Sequence, residues 1–170
     1  YTTLFRSEFG PAKRWPHYHY AALAKKLIDD GYQIALFGSA KDNEAGKEII
    51  AALSSEQQAW CRNLAGETQL EQAVILIAAC KAVVTNDSGL MHVAAALDRP
   101  LVALYGPSSP DFTPPLSHKA RVIRLITGYH KVRKGDAAEG YHQSLIDITP
   151  ERVLQELNEL LAEKTEHEEA

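Results

Sequence analysis

The sequence has little of what disulfide-bonded, metal-binding or membrane-spanning proteins need. Its 170 residues include two cysteines, Cys61 and Cys80, and neither lies in a CxxC motif or a Cys/His cluster. A disulfide framework or a zinc site is therefore not expected, and a reducing compartment fits. No apolar run approaches the roughly 20 residues that cross a bilayer, and no signal peptide is apparent. The formal net charge of −4, without a long basic run, argues against nucleic acid as the main partner.

Several motifs that would assign a reaction directly are also missing. No GxGxxG follows a strand, which argues against an NAD-dependent oxidoreductase. The sequence contains no GxxxxGK[ST] P-loop, no GxSxG nucleophile elbow, and no DxD or His-rich pair for a catalytic metal. A bound anion would then be held by helix ends and a lysine, so neither a metal ion nor a cofactor is expected.

What the sequence does contain is an alternation of amphipathic helices and short apolar segments. Apolar spacing predicts helices over residues 20–28, 42–53, 70–81, 88–97 and 150–161 and strands over 33–37, 63–66, 82–85, 101–105 and 121–126. Thr68 is a candidate N-cap with Glu71 three residues later, and Thr149 is the candidate cap of the last helix. Residues 127–143 lack periodicity and are predicted to be a loop. The alternation indicates an α/β fold, a Rossmann-like, doubly wound parallel sheet.

The two ends of the chain need separate interpretation. Residues 1–7 match the translation of sequencing-adapter DNA, and we expect them to be a non-native junction outside the fold. The one methionine, Met91, is internal, so we expect a fragment whose N-terminal part is absent. Residues 8–170 would form the domain, with one strand of the sheet missing. The acidic C-terminal end is expected to be solvated.

The strongest candidate for a binding site follows the strand 82–85. Ligands of open parallel sheets bind beyond the carboxyl ends of the strands, and here the strand runs directly into the start of a helix, whose unpaired N–H groups bind phosphate well. Gly89 leaves room for a phosphate, and Ser88 and His92 lie one turn apart on one face. Asp87 would repel phosphate, so it is predicted to cap the helix or to bind a sugar hydroxyl. A purely structural interpretation, with Asp87 as a cap and His92 in the core, fits this segment about equally well.

Two further segments offer polar side chains near strand ends. Lys13, in a loop shaped by two prolines and a glycine, would supply a mobile charge for a phosphate. Arg14 would share that role or face solvent, and the structural alternative is a charged loop with Trp15 packed beneath it. Ser39 and Glu44 are candidates for contacts with a ribose or base, although a plain helix start explains them slightly better. A third strand end, residues 105–109, also carries small and polar residues.

Taken together, these segments resemble a known family. EFGPAKRWP, LFGSAKD, NLAGETQLEQ, TNDSGLMHVAAALDRPLVALYGPSSP and the KGDAAEGYHQSL region are similar to the ADP-heptose:lipopolysaccharide heptosyltransferases of glycosyltransferase family 9, and most similar to its type II members. The resemblance covers roughly residues 8–170, and DSGLMH followed by ALDRP and YGP is its most specific part.

The resemblance implies a fold and a reaction. Family members have two Rossmann-like domains in a GT-B arrangement, and this chain resembles the C-terminal, donor-binding domain, with the N-terminal acceptor domain and its base absent. The implied reaction transfers heptose from ADP-L-glycero-D-manno-heptose to the inner core of lipopolysaccharide, with inversion, without a metal, in the cytoplasm at the inner face of the bacterial inner membrane. An isolated donor-binding half is expected to be inactive, and peripheral membrane association stays open. The implied donor contacts are Lys13, Ser39, Glu44, Asp87, Ser88, Gly89, Leu90 and His92, with Lys13 on the diphosphate.

Two other functions compete with this one. A non-catalytic ADP- or phosphate-binding Rossmann-like module would use the same helix terminus and lysine. An oxidoreductase domain is disfavoured by the missing glycine fingerprint.

Overall fold

One six-stranded parallel sheet organises the molecule. The computed structural model describes residues 2–5, 10–128 and 134–168. The strands are β1 (Thr2–Phe5), β2 (Ile34–Phe37), β3 (Cys61–Asn63), β4 (Ala82–Asn86), β5 (Leu101–Tyr105) and β6 (Ala120–Arg124). Their order is β3-β2-β1-β4-β5-β6, and every neighbouring pair is parallel. This is the strand order of a Rossmann domain, as the alternating pattern predicted.

Seven α-helices accompany the strands within the described residues. They are α1 (His17–Asp29), α2 (Asn43–Ala51), α3 (Ser55–Gln58), α4 (Leu70–Ala78), α5 (Gly89–Ala96), α6 (Gln143–Ile146) and α7 (Pro150–Glu168). The predicted cap of the last helix is confirmed, since Thr149 Oγ1 accepts a hydrogen bond from the Arg152 amide at 3.2 Å. No helix of the described ranges combines the length and apolarity that a membrane crossing requires.

Side chains of β2, β4 and β5 alternate between two cores, one on either face of the sheet. Ile34 and Leu36 of β2 belong to the core formed with α1, α2 and α7, whereas Ala35 and Phe37 belong to the core formed with α4 and α5. The inner strands β4 and β5 are buried along their whole length. Burial on both faces is the reason why these strands appear in the sequence as continuous apolar runs.

The structure corrects the expectation that residues 1–7 lie outside the fold. Thr2–Phe5 form the strand between β2 and β4, with Thr2 in register with both Ile34 and Ala82. Thr, Leu and Phe suit a buried strand, so this short segment can occupy the centre of the sheet whatever its origin. No strand is missing at this position. The non-native origin of residues 1–7 stays a prediction, and residues 1 and 6–9 lie outside the described ranges.

One local prediction was wrong, and another was incomplete. The N-cap of α4 is Gln69, paired with Gln72 in a reciprocal capping box, and not Thr68 with Glu71. The described part of the predicted loop 127–143 is irregular apart from a 3-10 turn, Ala138–Gly140, and α6 begins at its last residue, Gln143. A helix of four residues is too short to produce a detectable period. Residues 129–133 of this loop lie outside the described part of the chain.

Candidate functional site

The candidate site lies at the point where the order of the strands in the sheet reverses, between β1 and β4. The strand order runs outward from β1 through β2 to β3 on one side and from β4 through β5 to β6 on the other. At such a switch point the loops after the two central strands diverge and leave a crevice at the carboxyl edge of the sheet. Residues after β1, β4 and β5 meet there.

These residues surround a cavity of about 360 Å³, a size suited to part of a small-molecule ligand. Lys13 reaches the cavity from the segment after β1, and Asp87 from the end of β4. The remaining lining residues come from the segment after β5 and are Ser108, Ser109, Phe112 and Thr113. The sequence-predicted Lys13 and Asp87 are therefore brought together. The strand end 105–109 was singled out from the sequence, but none of its residues was assigned to the site.

The N-terminus of α5 adjoins this cavity through Asp87, the residue before its N-cap. Ser88 is the N-cap, since its Oγ accepts a hydrogen bond from the Met91 amide at 3.4 Å. The expectation that Asp87 caps the helix is thereby corrected, and its side chain borders the cavity. A Cβ placed on Gly89 meets no atom within 4 Å, so space for a ligand exists there.

His92 lies on the exposed side of α5, and Leu90 is partly buried against the core formed with α4 and α5. A histidine in the core, the structural alternative for His92, is thus not what the structure shows. A donor-binding role for either residue stays a prediction.

Trp15 fixes the position of the segment that carries Lys13. Its side chain is fully buried, with Nε1 donating to the carbonyl oxygen of Ile148 at 2.8 Å. Its backbone N–H donates to Oδ1 of Asn86, the last residue of β4, at 2.9 Å. Lys13 is thus held close to the start of α5 by a direct bond between the two segments, and a packed Trp15 is compatible with the predicted binding role of Lys13.

Arg14 has a role that differs from both sequence-based alternatives. It forms an ion pair with Asp42, with Nη2 and Oδ1 at 3.2 Å, and the side chains are 13% and 1% exposed. The other carboxylate oxygen of Asp42 accepts bonds from the backbone N–H and the hydroxyl of Ser39, both at 2.9 Å. This buried carboxylate, which the sequence analysis missed, connects the segments that follow β1 and β2.

Ser39 and Glu44 do not line the cavity around Lys13. Ser39 occupies the reciprocal capping box with Asp42 that begins the turn Ala40–Asp42. Glu44 is 81% exposed and pairs with Lys47 at 2.7 Å. Both residues follow β2, two strands away from β4. Their predicted contacts with the adenosine stay predictions, and a structural role explains their present partners.

Tyr105 positions the segment that forms the far wall of the cavity. Its buried hydroxyl bonds to the carbonyl oxygen of Thr113 and lies 3.2 Å from Sδ of Met91 in α5. Burial, followed by the negative charge of Asp87, raises the pKa of Tyr105 above its ordinary value. The hydroxyl therefore stays protonated at neutral pH and donates. One side chain thus connects β5, α5 and the segment ending at Thr113.

Some elements of the predicted site cannot be placed. Glu8 and Phe9 of the EFGPAKRWP segment lie outside the described ranges. Within those ranges, no three His, Cys, Asp or Glu side chains cluster as a metal site would require.

Comparison with known proteins decides the family. Residues 2–142 match the model of glycosyltransferase family 9 (heptosyltransferase). The chain belongs to this family. Lipopolysaccharide heptosyltransferase 2 of Escherichia coli K12 is 87% identical over 158 residues, which is 93% of this chain and 45% of that relative. The predicted similarity to the type II members of the family is thereby confirmed.

Solved structures of family 9 enzymes share the fold. The structure of E. coli ADP-heptose lipopolysaccharide heptosyltransferase II aligns with a TM-score of 0.88 at 78% identity over 96% of this chain and 47% of that chain. The E. coli heptosyltransferase WaaC, solved with ADP-2-deoxy-2-fluoro heptose, aligns with a TM-score of 0.72 at 28% identity over 94% of this chain and 42% of that one. The predicted fold, one Rossmann-like domain of a GT-B glycosyltransferase, is confirmed.

This chain spans about 45% of the length of three curated heptosyltransferase 2 relatives that it matches. The domain described above therefore corresponds to one half of a heptosyltransferase.

Proposed function

We propose that this chain is the donor-binding half of a type II heptosyltransferase. Its substrate would be ADP-L-glycero-D-manno-heptose, and the complete protein would transfer the heptose to the inner core of lipopolysaccharide. The observation that carries this proposal is the meeting of Lys13 with the start of α5 at the switch point of the sheet. A cation beside unpaired helix amides is a site for a diphosphate.

The chemistry assigned to these groups is stabilisation of the leaving group. An acceptor hydroxyl attacks the anomeric carbon, the bond from that carbon to the phosphate oxygen breaks, and ADP departs with a growing negative charge. Lys13 and the amides at the start of α5 would stabilise that charge more strongly in the transition state than in the bound donor. Direct attack inverts the anomeric centre. With a lysine supplying the positive charge, the proposed mechanism requires no metal and no cofactor other than the donor substrate.

The remaining parts of the reaction are assigned to the half of the relatives that this chain does not match. A base that removes the proton of the acceptor hydroxyl, and the surface that holds the lipid-linked acceptor, would lie there. The chain alone is then expected to bind the donor and to be inactive in transfer. Since the proposed acceptor is linked to a lipid, the complete enzyme would work at the cytoplasmic face of the inner membrane, through peripheral association.

Replacing Lys13 tests this proposal. In the present chain, Lys13→Ala should weaken ADP binding at least about tenfold, since a hydrogen bond to a charged group contributes about 1.5–3 kcal/mol. In the full-length enzyme, the same change should lower turnover about 100-fold or more. Isothermal titration calorimetry and a transfer assay measure the two effects. Lys25→Ala, on the exposed face of α1, is the matched control and should change neither. Near-normal affinity and turnover for Lys13→Ala would remove this residue from the mechanism.

A further inference from the structure

The segment after β5 forms one wall of the cavity, and the proposed function assigns no role to this wall. Ser108 and Ser109 are largely buried, and with Phe112 and Thr113 they face Lys13 and Asp87 across about 360 Å³. The hydroxyl groups of such largely buried residues need hydrogen-bond partners, because a buried polar group without a hydrogen bond costs free energy.

The two serines differ in how their hydroxyls are used. Ser109 Oγ is held within its own turn, donating to the Asp111 carboxylate and accepting from the Asp111 amide, both at 3.2 Å. Ser108 is 9% exposed, and among the described residues its hydroxyl has no hydrogen-bond partner. The Ser108 hydroxyl is thus available to a molecule that fills the cavity.

The order of the strands determines what kind of group lies beside Ser108. Along the carboxyl edge, the segments after β1, β4 and β5 follow one another, and they carry Lys13, Asp87 and Ser108 in that order. A diphosphate is attracted to the Lys13 end and repelled by the carboxylate of Asp87. The part of the ligand next to Asp87 and Ser108 should therefore be neutral and rich in hydroxyls. Carboxylate and serine oxygens both accept from such hydroxyls, and the serine also donates.

We infer that the segment Pro107–Thr113 recognises the sugar of the nucleotide-sugar donor, with Ser108 as its hydrogen-bonding residue. This inference rests on the proposed donor site, because it assumes that the diphosphate occupies the Lys13 end. Tyr105 is a positioning residue for the same wall, since its buried hydroxyl holds the carbonyl oxygen of Thr113 against α5. The sugar contact thus depends on a rigid turn, which supports a specific orientation of the ring.

The test compares two ligands that differ only in the sugar. ADP-heptose and ADP are titrated calorimetrically into the unaltered chain and into the variants Ser108→Ala and Ser108→Thr. Ser108→Ala should weaken ADP-heptose about fivefold to tenfold, the effect of one hydrogen bond, and leave ADP unchanged. Ser108→Thr keeps the hydroxyl and should retain most of the affinity for ADP-heptose. Ser55→Ala, at an exposed serine of α3, controls for general effects of the change.

The outcomes separate this inference from the proposed function. Equal weakening of both ligands by Ser108→Ala, or no weakening of either, overturns the sugar assignment while leaving the donor site intact. Failure of the unaltered, folded chain to bind either ligand overturns the proposed function itself, and the sugar assignment with it. Thermal melting shows whether each variant is folded. If Ser108→Ala is not folded, Ser108→Cys, which keeps the side-chain volume and lacks a strong donor, takes its place with the same expected result.

Discussion

At the scale of single residues, a buried carboxylate has more structural influence than the exposed charges near it. Asp42 accepts bonds from Ser39 and forms an ion pair with Arg14, so it joins two segments that end at the ligand edge of the sheet. The sequence contained a signal for it, since Ser39 and Asp42 have the spacing of a capping box. Glu44, the sequence-based candidate for a nucleotide contact in this segment, is an exposed partner of Lys47. The structural interpretation, which the sequence slightly favoured for Ser39 and Glu44, agrees with these partners.

This difference predicts unequal effects on stability. Asp42→Ala removes the carboxylate from a largely buried guanidinium and should lower the free energy of unfolding by about 3 kcal/mol. Glu44→Ala removes an exposed pair and should cost no more than about 0.5 kcal/mol. Urea denaturation of the two variants, monitored by circular dichroism, measures both values. Equal losses in the two variants would contradict the assignment of Asp42 as the structural residue.

At the scale of elements, α5 is the helix whose N-terminus the proposed donor site uses. It begins at Gly89 after a buried strand, is capped by Ser88, and adjoins the cavity that Lys13 and Asp87 line. The short helix α3 has the same kind of cap, since Ser54 Oγ accepts from the Gln57 amide at 3.2 Å. Its residues are mostly exposed and do not line the cavity. Comparing variants of the two caps therefore separates the effect of a cap on stability from its effect on ligand binding.

Ser88→Ala and Ser54→Ala should each lower stability by about 1 kcal/mol or less, the usual cost of losing an N-cap. Only Ser88→Ala should also weaken ADP binding, because the proposed site uses the first amides of α5 and not those of α3. Chemical denaturation gives the stabilities and calorimetry gives the affinities. Comparable ADP affinities for the two variants would mean that the start of α5 does not contact the nucleotide.

The elements also show how far the sequence can predict this fold. The strand β5 was predicted with its observed bounds, Leu101–Tyr105, because a continuous apolar run closed by Gly-Pro leaves little choice. The helix α4 ends at Ala78, three residues before its predicted end, since the apolar pattern continues into Cys80 and the strand that follows. Periodicity identifies buried faces reliably, but it does not reveal where a helix stops within an apolar stretch.

Elements that depend on distant partners were not predictable. Thr2–Phe5 has only four residues, and its place is determined by the strands on both sides of it. The same holds for the site, since Lys13 and Asp87 were proposed from local motifs, whereas Ser108 becomes a candidate only when β5 is seen beside β4. Local sequence indicates which residues bind anions, and strand order determines which other residues face the same ligand.

At the scale of the whole molecule, the strand order explains why the proposed site lies at one edge of the sheet. The strand order reverses between β1 and β4, which opens the crevice, and segments after β1, β4 and β5 supply a cation, a helix terminus and hydroxyl groups. Two cores, one on each face, hold these segments in place without contributing to the site themselves. In the proposed function, such a domain would bind the activated sugar and leave its reacting carbon accessible to the other half of the enzyme.

A crystal structure of this chain with ADP-heptose tests that account most directly. We predict that the diphosphate lies within hydrogen-bond distance of Lys13 Nζ and of the first amides of α5, with the sugar towards Asp87 and Ser108. A folded chain that binds ADP-heptose at another edge of the sheet, or with the diphosphate away from Lys13, would contradict it.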